Sequence, residues 1–347
     1  MIDGHGDDIH HLPRPLRANF SSNVYPHADL TGLCQHLCAH IQAIGHYPEP
    51  RPCELERRIA ACRGVPADAV VVTSGATEGI YLIAQTFGGT RTAVLQPTFS
   101  EYADACRMYG HRVSPLYQWP DRLPVDVRML WLCTPNNPTG TVPPKAALLQ
   151  LIGSHPEVCF VIDLSYEAFT LQPLLSPAEA VGLPNVLLIH SLTKRFAIPG
   201  LRVGYLTGSP ALISRIRSRL MPWSVNALAV EAGMYLFSAN PSKGATMLDL
   251  PTPALTAYLH ETVRFRQALQ QLGGLDVWPT DAHFFLCRLR MGHAAALREY
   301  LLRQHGLLIR DASNFDGLDA HFIRLSTQSP QANDALVRAI GEYFSIP

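Results

Sequence analysis

The chain has 347 residues, 47% of them hydrophobic and 16% charged, and its 28 basic residues balance 28 acidic ones. That length allows a sizeable core and two domains, and the neutral balance argues against a basic nucleic-acid or membrane surface. No stretch approaches the roughly 20 apolar residues that cross a bilayer. The opening "MIDGHGDDIHHLPRP" lacks a basic region followed by an apolar one, so no signal peptide is expected and the cytoplasm is the expected compartment.

In chain order the first pattern is "LCQHLCAH", Leu33–His40, which could suggest a metal site. On a helix Cys34 and Cys38 share one face while His36 and His40 lie about 200° away, so the four cannot converge on one ion and no metal is expected. The eight cysteines (Cys34, Cys38, Cys53, Cys62, Cys106, Cys133, Cys159 and Cys287) form no CxxC pair and read as buried free thiols of a reducing cytosol.

From about residue 52 to 208, short apolar runs alternate with helix-length stretches. The runs are Ala69–Thr73, Thr92–Leu95, Met129–Cys133, Val158–Ile162, Val186–Ile189 and Val203–Thr207. Continuous rather than alternating apolar character predicts strands of a mostly parallel sheet covered by helices on both faces, an α/β layer. Beyond Pro251 the order changes to a long helix near Pro253–Leu272, strand-like "HFFLCRL", a helix near Ala294–His305, then "LLIRD", "FIRLS" and a final helix. The expected organisation is a large domain over 31–242 and a smaller α+β domain built from 1–30 and 243–347. The alternative is one continuous domain with a C-terminal extension.

Four stretches of the α/β region sit where a strand ends, the edge at which open α/β sheets place ligands. "VVVTSGATEGI" runs from a strand through Gly75, Ala76 and Thr77 into a helix whose N-terminus offers free N–H groups to an anion; an ordinary capped turn is the plainer reading. "LWLCTPNNPTG" places the Asn137 amide after a strand, in a segment that could equally be a simple turn. "FVIDLSYEAF" ends a strand on Asp163, whose buried carboxylate requires a cationic partner unless it merely caps a helix. The fourth is "HSLTKRFAIPGLRVGY", with Lys194 between hydroxyls and an apolar run, and Arg202 beyond it.

Lys194 is conspicuous because the chain holds only three lysines; the other 25 of its 28 basic residues are arginine. Lys145 and Lys243 follow Pro- and Ser-containing turns and read as solvent-facing. An ammonium is costly to bury unless it is paired or used. An amine, an opposing acid, an amide, a phenol (Tyr166) and an anion cradle together match the needs of pyridoxal 5′-phosphate: a lysine for the Schiff base, a carboxylate for the pyridine nitrogen and donors for the phosphate.

The string Ser191-Leu-Thr-Lys194…Pro199-Gly-Leu-Arg202-Val-Gly-Tyr205, with Asn136-Asn-Pro-Thr-Gly140 and Asp163-x-x-Tyr166, resembles the fold-type I pyridoxal phosphate enzymes of the class I/II aminotransferase family, over nearly the whole chain. The resemblance implies that Lys194 carries the cofactor, Asp163 contacts its ring nitrogen, and Asn137 and Tyr166 bind its 3-hydroxyl oxygen. Gly75, Ala76, Thr77, Ser191, Thr193 and Arg202 would hold the phosphate, Phe99 would stack on the ring, and Tyr47 would reach a phosphate across a homodimer interface. Leu164-Ser165 departs from the Glu-Ala common after the aspartate. For the substrate, Arg324 resembles the family's carboxylate-binding arginine, Arg310 is the candidate for a substrate phosphate, and His5 and Asn23 belong to the same expected pocket.

Within the family, "GHGDD", "NFSSNVYP" and "MPWSVNALA" resemble the threonine-phosphate decarboxylases of cobalamin biosynthesis, although those usually carry His-Gly-Gly where this chain has His5-Gly6-Asp7. The alternative is a histidinol-phosphate type of aminotransferase. Both take a small phosphorylated amino compound. A non-catalytic binding module of the same fold is disfavoured by the intact Lys194, Asp163 and Arg202.

Overall fold

A computed structural model describes residues 16–238 and 250–345. Its centre is a seven-stranded sheet. The strands are β1 (Val70–Thr73), β2 (Arg91–Leu95), β3 (Arg112–Leu116), β4 (Met129–Cys133), β5 (Cys159–Asp163), β6 (Val186–Ser191) and β7 (Gly204–Gly208). Their spatial order is β1-β7-β6-β5-β4-β2-β3. All neighbours pair in parallel except β7, which runs antiparallel to both β1 and β6. Every residue of β1, β4, β5 and β7 is buried, as strands covered on both faces require.

Each apolar run read from the sequence is a strand, displaced by one residue in Cys159–Asp163 and Gly204–Gly208. The edge strand β3 was not expected. Its "RVSPL" breaks the apolar pattern with Arg112, Ser114 and Pro115, and a proline is tolerated because only one side of an edge strand must pair.

The later part of the chain forms an antiparallel sheet of β8 (Leu275–Val277), β9 (Phe284–Leu289), β10 (Arg310–Asp311) and β11 (Phe322–Ser326), in the order β10-β11-β9-β8. The helices Thr252–Gln271 and Pro330–Phe344 pack with it around a second apolar core containing Phe265, Phe285, Leu325 and Ile340. Ser329 caps the last helix by accepting the Ala332 N–H, with Pro330 in its first turn. The N-terminal segment joins this part: Ala18–Asn19 pairs with Leu307–Leu308, and fully buried Phe20 packs 6.0 Å from Phe265. All eight cysteines are free thiols, but only Cys106, Cys133, Cys159 and Cys287 are buried as expected; Cys53 and Cys62 are half-buried, and Cys34 and Cys38 are exposed because their helix buries Leu33 instead. No helix among the described residues is long and apolar enough to cross a membrane.

Candidate active site

The carboxyl ends of β4, β5 and β6 deliver Cys133, Asp163 and Ser191 to one edge of the sheet. Because β7 is antiparallel, its first residue, Gly204, lies opposite both Thr73 and Ser191, so the chain preceding β7 returns to that edge with Arg202. A cavity of about 240 Å³ opens there, between the edge, the N-terminal segment and Arg324 of β11.

Asp163 stands at the floor of the cavity, 3% exposed. Its Oδ2 accepts the Tyr102 hydroxyl at 2.7 Å and its Oδ1 the Ser165 N–H at 2.7 Å. Both donors are neutral. Burial pushes the Asp163 carboxyl up, and these hydrogen bonds oppose that without supplying a counter-charge. The carboxylate therefore closes an Asx turn rather than capping a helix.

Tyr166, the residue after that turn, is buried, and its phenol is pushed up to about 12 by desolvation, against the pull of Arg324. Its hydroxyl accepts the Asn23 side-chain N–H at 3.3 Å. Asn137 accepts Nη1 of Arg324 at 2.5 Å, while Nη2 of Arg324 donates to the Ser21 carbonyl. Burial lowers the Arg324 guanidinium to about 10, and its Nε has no hydrogen-bond partner among the described residues.

At the other end the helix Gly75–Thr86 begins, with Ala76 and Thr77 on the cavity wall. Ser74 does not cap it through its side chain; instead its N–H donates to Glu78 Oε2 at 2.5 Å. Gly75 has φ +76°, and a Cβ there would lie 2.7 Å from Nη2 of Arg202. A Cβ on Gly204 would lie 2.8 Å from the Ala76 nitrogen, so both glycines permit backbone approaches that a side chain would block. Arg202 is itself left-handed, φ 58°, a conformation costing a non-glycine residue roughly 1–2 kcal/mol, which holds its exposed guanidinium over the start of the helix.

Lys194 lies half-buried in the five-residue helix Leu192–Phe196 that follows β6, and its carbonyl accepts the Tyr25 N–H at 2.9 Å. Lys194, Ser191 and Thr193 line the cavity together with Phe99 and Asn23. By contrast, Lys145 opens the helix Lys145–Ser154 and pairs with Glu179 at 2.6 Å.

Not every expected residue meets at this cavity. Tyr47 is 88% exposed on the surface, 5.7 Å from the Trp223 ring, so within one chain it does not contribute to the site. Arg310 lines a smaller adjoining cavity of about 40 Å³ that shares Phe99, Asn137 and Arg324 with the larger one. His5, like Lys243, lies outside the described residues.

The residue that sequence reasoning missed is Tyr102. It stands three positions after Phe99 at a helix start, spacing that puts two side chains on one face, and the rings meet edge to face at 5.7 Å. Ser21, Ser22 and Ser165 also line the cavity; their stretches stand out in the sequence, but none of the three is singled out there as a site residue.

These residues fit pyridoxal phosphate. A buried carboxylate whose contacts are neutral donors suits a protonated pyridine nitrogen, and the Gly75–Thr77 helix start beside Arg202 suits a phosphate. The family model described as aminotransferase class I and II matches residues 18–340. Threonine-phosphate decarboxylase of Salmonella typhimurium is 32% identical over 337 residues, covering 93% of this chain and 90% of that one. Histidinol-phosphate aminotransferase of Desulfitobacterium hafniense is 29% identical over 349 residues, covering 95% and 92%. The crystal structure of L-threonine-O-3-phosphate decarboxylase from Porphyromonas gingivalis superposes with a TM-score of 0.89 at 37% identity, covering 94% of this chain and 98% of that one. A fold of this kind, this coverage and a site that fits the cofactor lead to one conclusion: the chain belongs to the class I and II aminotransferase family and is a pyridoxal phosphate-dependent enzyme.

Proposed function

We propose that this enzyme decarboxylates a phosphorylated amino acid, converting L-threonine O-3-phosphate to 1-amino-2-propanol phosphate and CO2 in the cobalamin pathway. The observation that carries the reading is the pairing of two arginines. Arg310 of β10 lies directly opposite Arg324 of β11, and the two line adjoining cavities. Like charges placed opposite each other repel, and each guanidinium is pulled down to about 10, first by burial. A substrate bearing both a carboxylate and a phosphate would relieve both. Two bidentate guanidinium contacts would also fix its orientation.

Pyridoxal phosphate, when bound, supplies an aldehyde that condenses with amines and a ring that accepts the electron pair of the bond broken at the α-carbon. In this reading Asp163 holds the ring nitrogen protonated, and Asn137 and Tyr166 hold the ring's hydroxyl oxygen. Phe99 would lie against the ring, while Gly75, Ala76, Thr77, Ser191, Thr193 and Arg202 would bind its phosphate. Lys194 anchors the cofactor and then moves the proton at the reacting carbon. Arg324, whose Nε has no partner among the described residues, takes the carboxylate, Arg310 takes the substrate phosphate, and Asn23 lines the pocket, while His5 is assigned to the substrate by the family resemblance alone. Residues 31–242 form the large domain in this reading, and 1–30 with 243–347 the small one.

The test is incubation with O-phospho-L-threonine alone, and separately with histidinol phosphate plus 2-oxoglutarate. Stoichiometric CO2 and 1-amino-2-propanol phosphate without any keto acid are expected. Glutamate formation that requires 2-oxoglutarate, without CO2, would replace this reading by the aminotransferase one, to which the Desulfitobacterium hafniense relative lends its resemblance.

A further inference from the structure

The pattern "LCQHLCAH" has a second use that helix geometry alone does not reveal. In the helix Thr31–Ala39 both cysteines are exposed and share one face, and they do not meet the histidines. The histidine face meets another helix, Ala227–Leu236, which brings Glu231 to it. His36 Nε2 lies 3.3 Å from Glu231 Oε2. The His36 and His40 rings sit 4.1 Å apart, centroid to centroid. One ligand atom from each of the three lies within 4.8 Å of the other two.

We propose that His36, His40 and Glu231 form a surface site for a divalent transition ion of the zinc class. Three features carry this. Two imidazoles four residues apart project from the same side of a helical turn, and together with a carboxylate they make a borderline donor set suited to Zn2+ rather than to Mg2+ or Ca2+. Ligands about 2.0–2.2 Å from a tetrahedral Zn2+ lie a little over 3 Å from one another, which is the His36–Glu231 separation already present. Lastly, His40 Nδ1 contacts the His36 carbonyl at 2.8 Å. The tautomer that donates this bond carries its lone pair on Nε2, and such a bond from the second ring nitrogen to a carbonyl is what orients metal-binding histidines. His40 is exposed, so a fourth position stays open to water.

The ion would fasten the helix Thr31–Ala39 to Ala227–Leu236. The first of these helices begins shortly after Ser22 and Asn23, which line the active-site cavity. The ion would therefore hold in place the helix that follows the N-terminal segment lining one wall of the cavity.

The test uses the full-length protein loaded with pyridoxal phosphate, washed with chelator and titrated with ZnCl2 by calorimetry and thermal unfolding. One Zn2+ per chain and a raised unfolding midpoint are expected. Even an outer-shell partner is worth about 10- to 100-fold in metal affinity, so His40→Ala or Glu231→Ala should weaken binding at least tenfold and remove the midpoint shift. Circular dichroism matching the parent will show that these variants are folded. The double variant Cys34→Ser/Cys38→Ser should bind as the parent does. Undiminished binding by His40→Ala, or loss of binding in the cysteine variant, would overturn the proposal; the second result would place the ion on the cysteine face.

Discussion

Asp163 is held at the floor of the site by a side chain that the strand-end pattern does not single out. Tyr102 is fully buried, stacks on Trp131 at 5.4 Å and donates its hydroxyl to Asp163. Burial first, and the Asp163 charge next, push its phenol well above the ordinary range, so it stays a donor at any working pH. Tyr102→Phe keeps the stack and removes only the hydroxyl. A hydrogen bond to a charged group is worth about 1.5–3 kcal/mol, so a 10- to 100-fold fall in kcat is expected, with a shifted cofactor absorbance as the sign that Asp163 has moved. Asp163→Asn should cost more, several orders of magnitude in rate with the fold intact, measured by turnover and circular dichroism. The purified protein should be yellow, and Lys194→Ala should abolish turnover even if cofactor still binds through its phosphate. Unchanged turnover in that variant would remove Lys194 from the mechanism.

Behind the site, four elements are tied together by one carboxylate. Glu167 follows Tyr166; its Oε1 accepts Arg63 Nη2 at 2.5 Å and meets His190 Nδ1 at 3.0 Å. His190 Nε2 meets Thr207 Oγ1 at 3.0 Å, and its ring lies 4.4 Å from that of Tyr205 at 10°. The network thus links the helix Cys53–Arg63, the Tyr166 turn, β6 and β7, and it backs Tyr166 and Ser191 from outside the cavity. Burial alone would raise the Glu167 pKa, but Arg63 and His190 outweigh it and hold the carboxyl at about 2.

A carboxyl depressed from roughly 4.3 in the unfolded chain adds stability that is present above that pH and lost as pH falls towards 2. Glu167→Gln should therefore lower stability at pH 7 by no more than about 3 kcal/mol, at 1.36 kcal/mol for each pH unit of depression, because burial lowers the His190 imidazole and leaves Arg63 as the charge facing Glu167 at that pH. The gap to the parent should narrow between pH 4.3 and 2. Denaturant melts across that range will show it, and a gap independent of pH would assign the loss to packing instead.

On the surface of the whole molecule, Tyr47 meets Trp223, and Ile41, Ile44 and Met221, close to these two along the chain, are exposed with them in a single chain. Trp223 is anchored there by its backbone N–H, which donates to the Pro50 carbonyl at 3.0 Å. Large apolar side chains gathered at one place mark an interaction surface, which supports the reading of a homodimer in which Tyr47 serves the partner's site. Sedimentation at micromolar concentration should show a dimer, and Tyr47→Phe should weaken cofactor binding without changing that state. A monomer with full activity would rule out a shared site.

Much of this protein was legible before folding because it depends on local spacing. Continuous apolar runs fix buried parallel strands, and residues placed just past a strand end must emerge at the sheet edge; that is why Asp163, Asn137, Ser191 and Lys194 could be read from the chain. What spacing could not decide is direction and partnership. The antiparallel course of β7 returns Arg202 to the edge, the pairing of β10 with β11 sets Arg310 opposite Arg324, and the packing of two helices brings Glu231 to His36. Tyr102 and the serines of the N-terminal segment entered the site for the same reason. These contacts join residues up to about three hundred positions apart, and their energies depend on burial and distance, which only the folded chain defines.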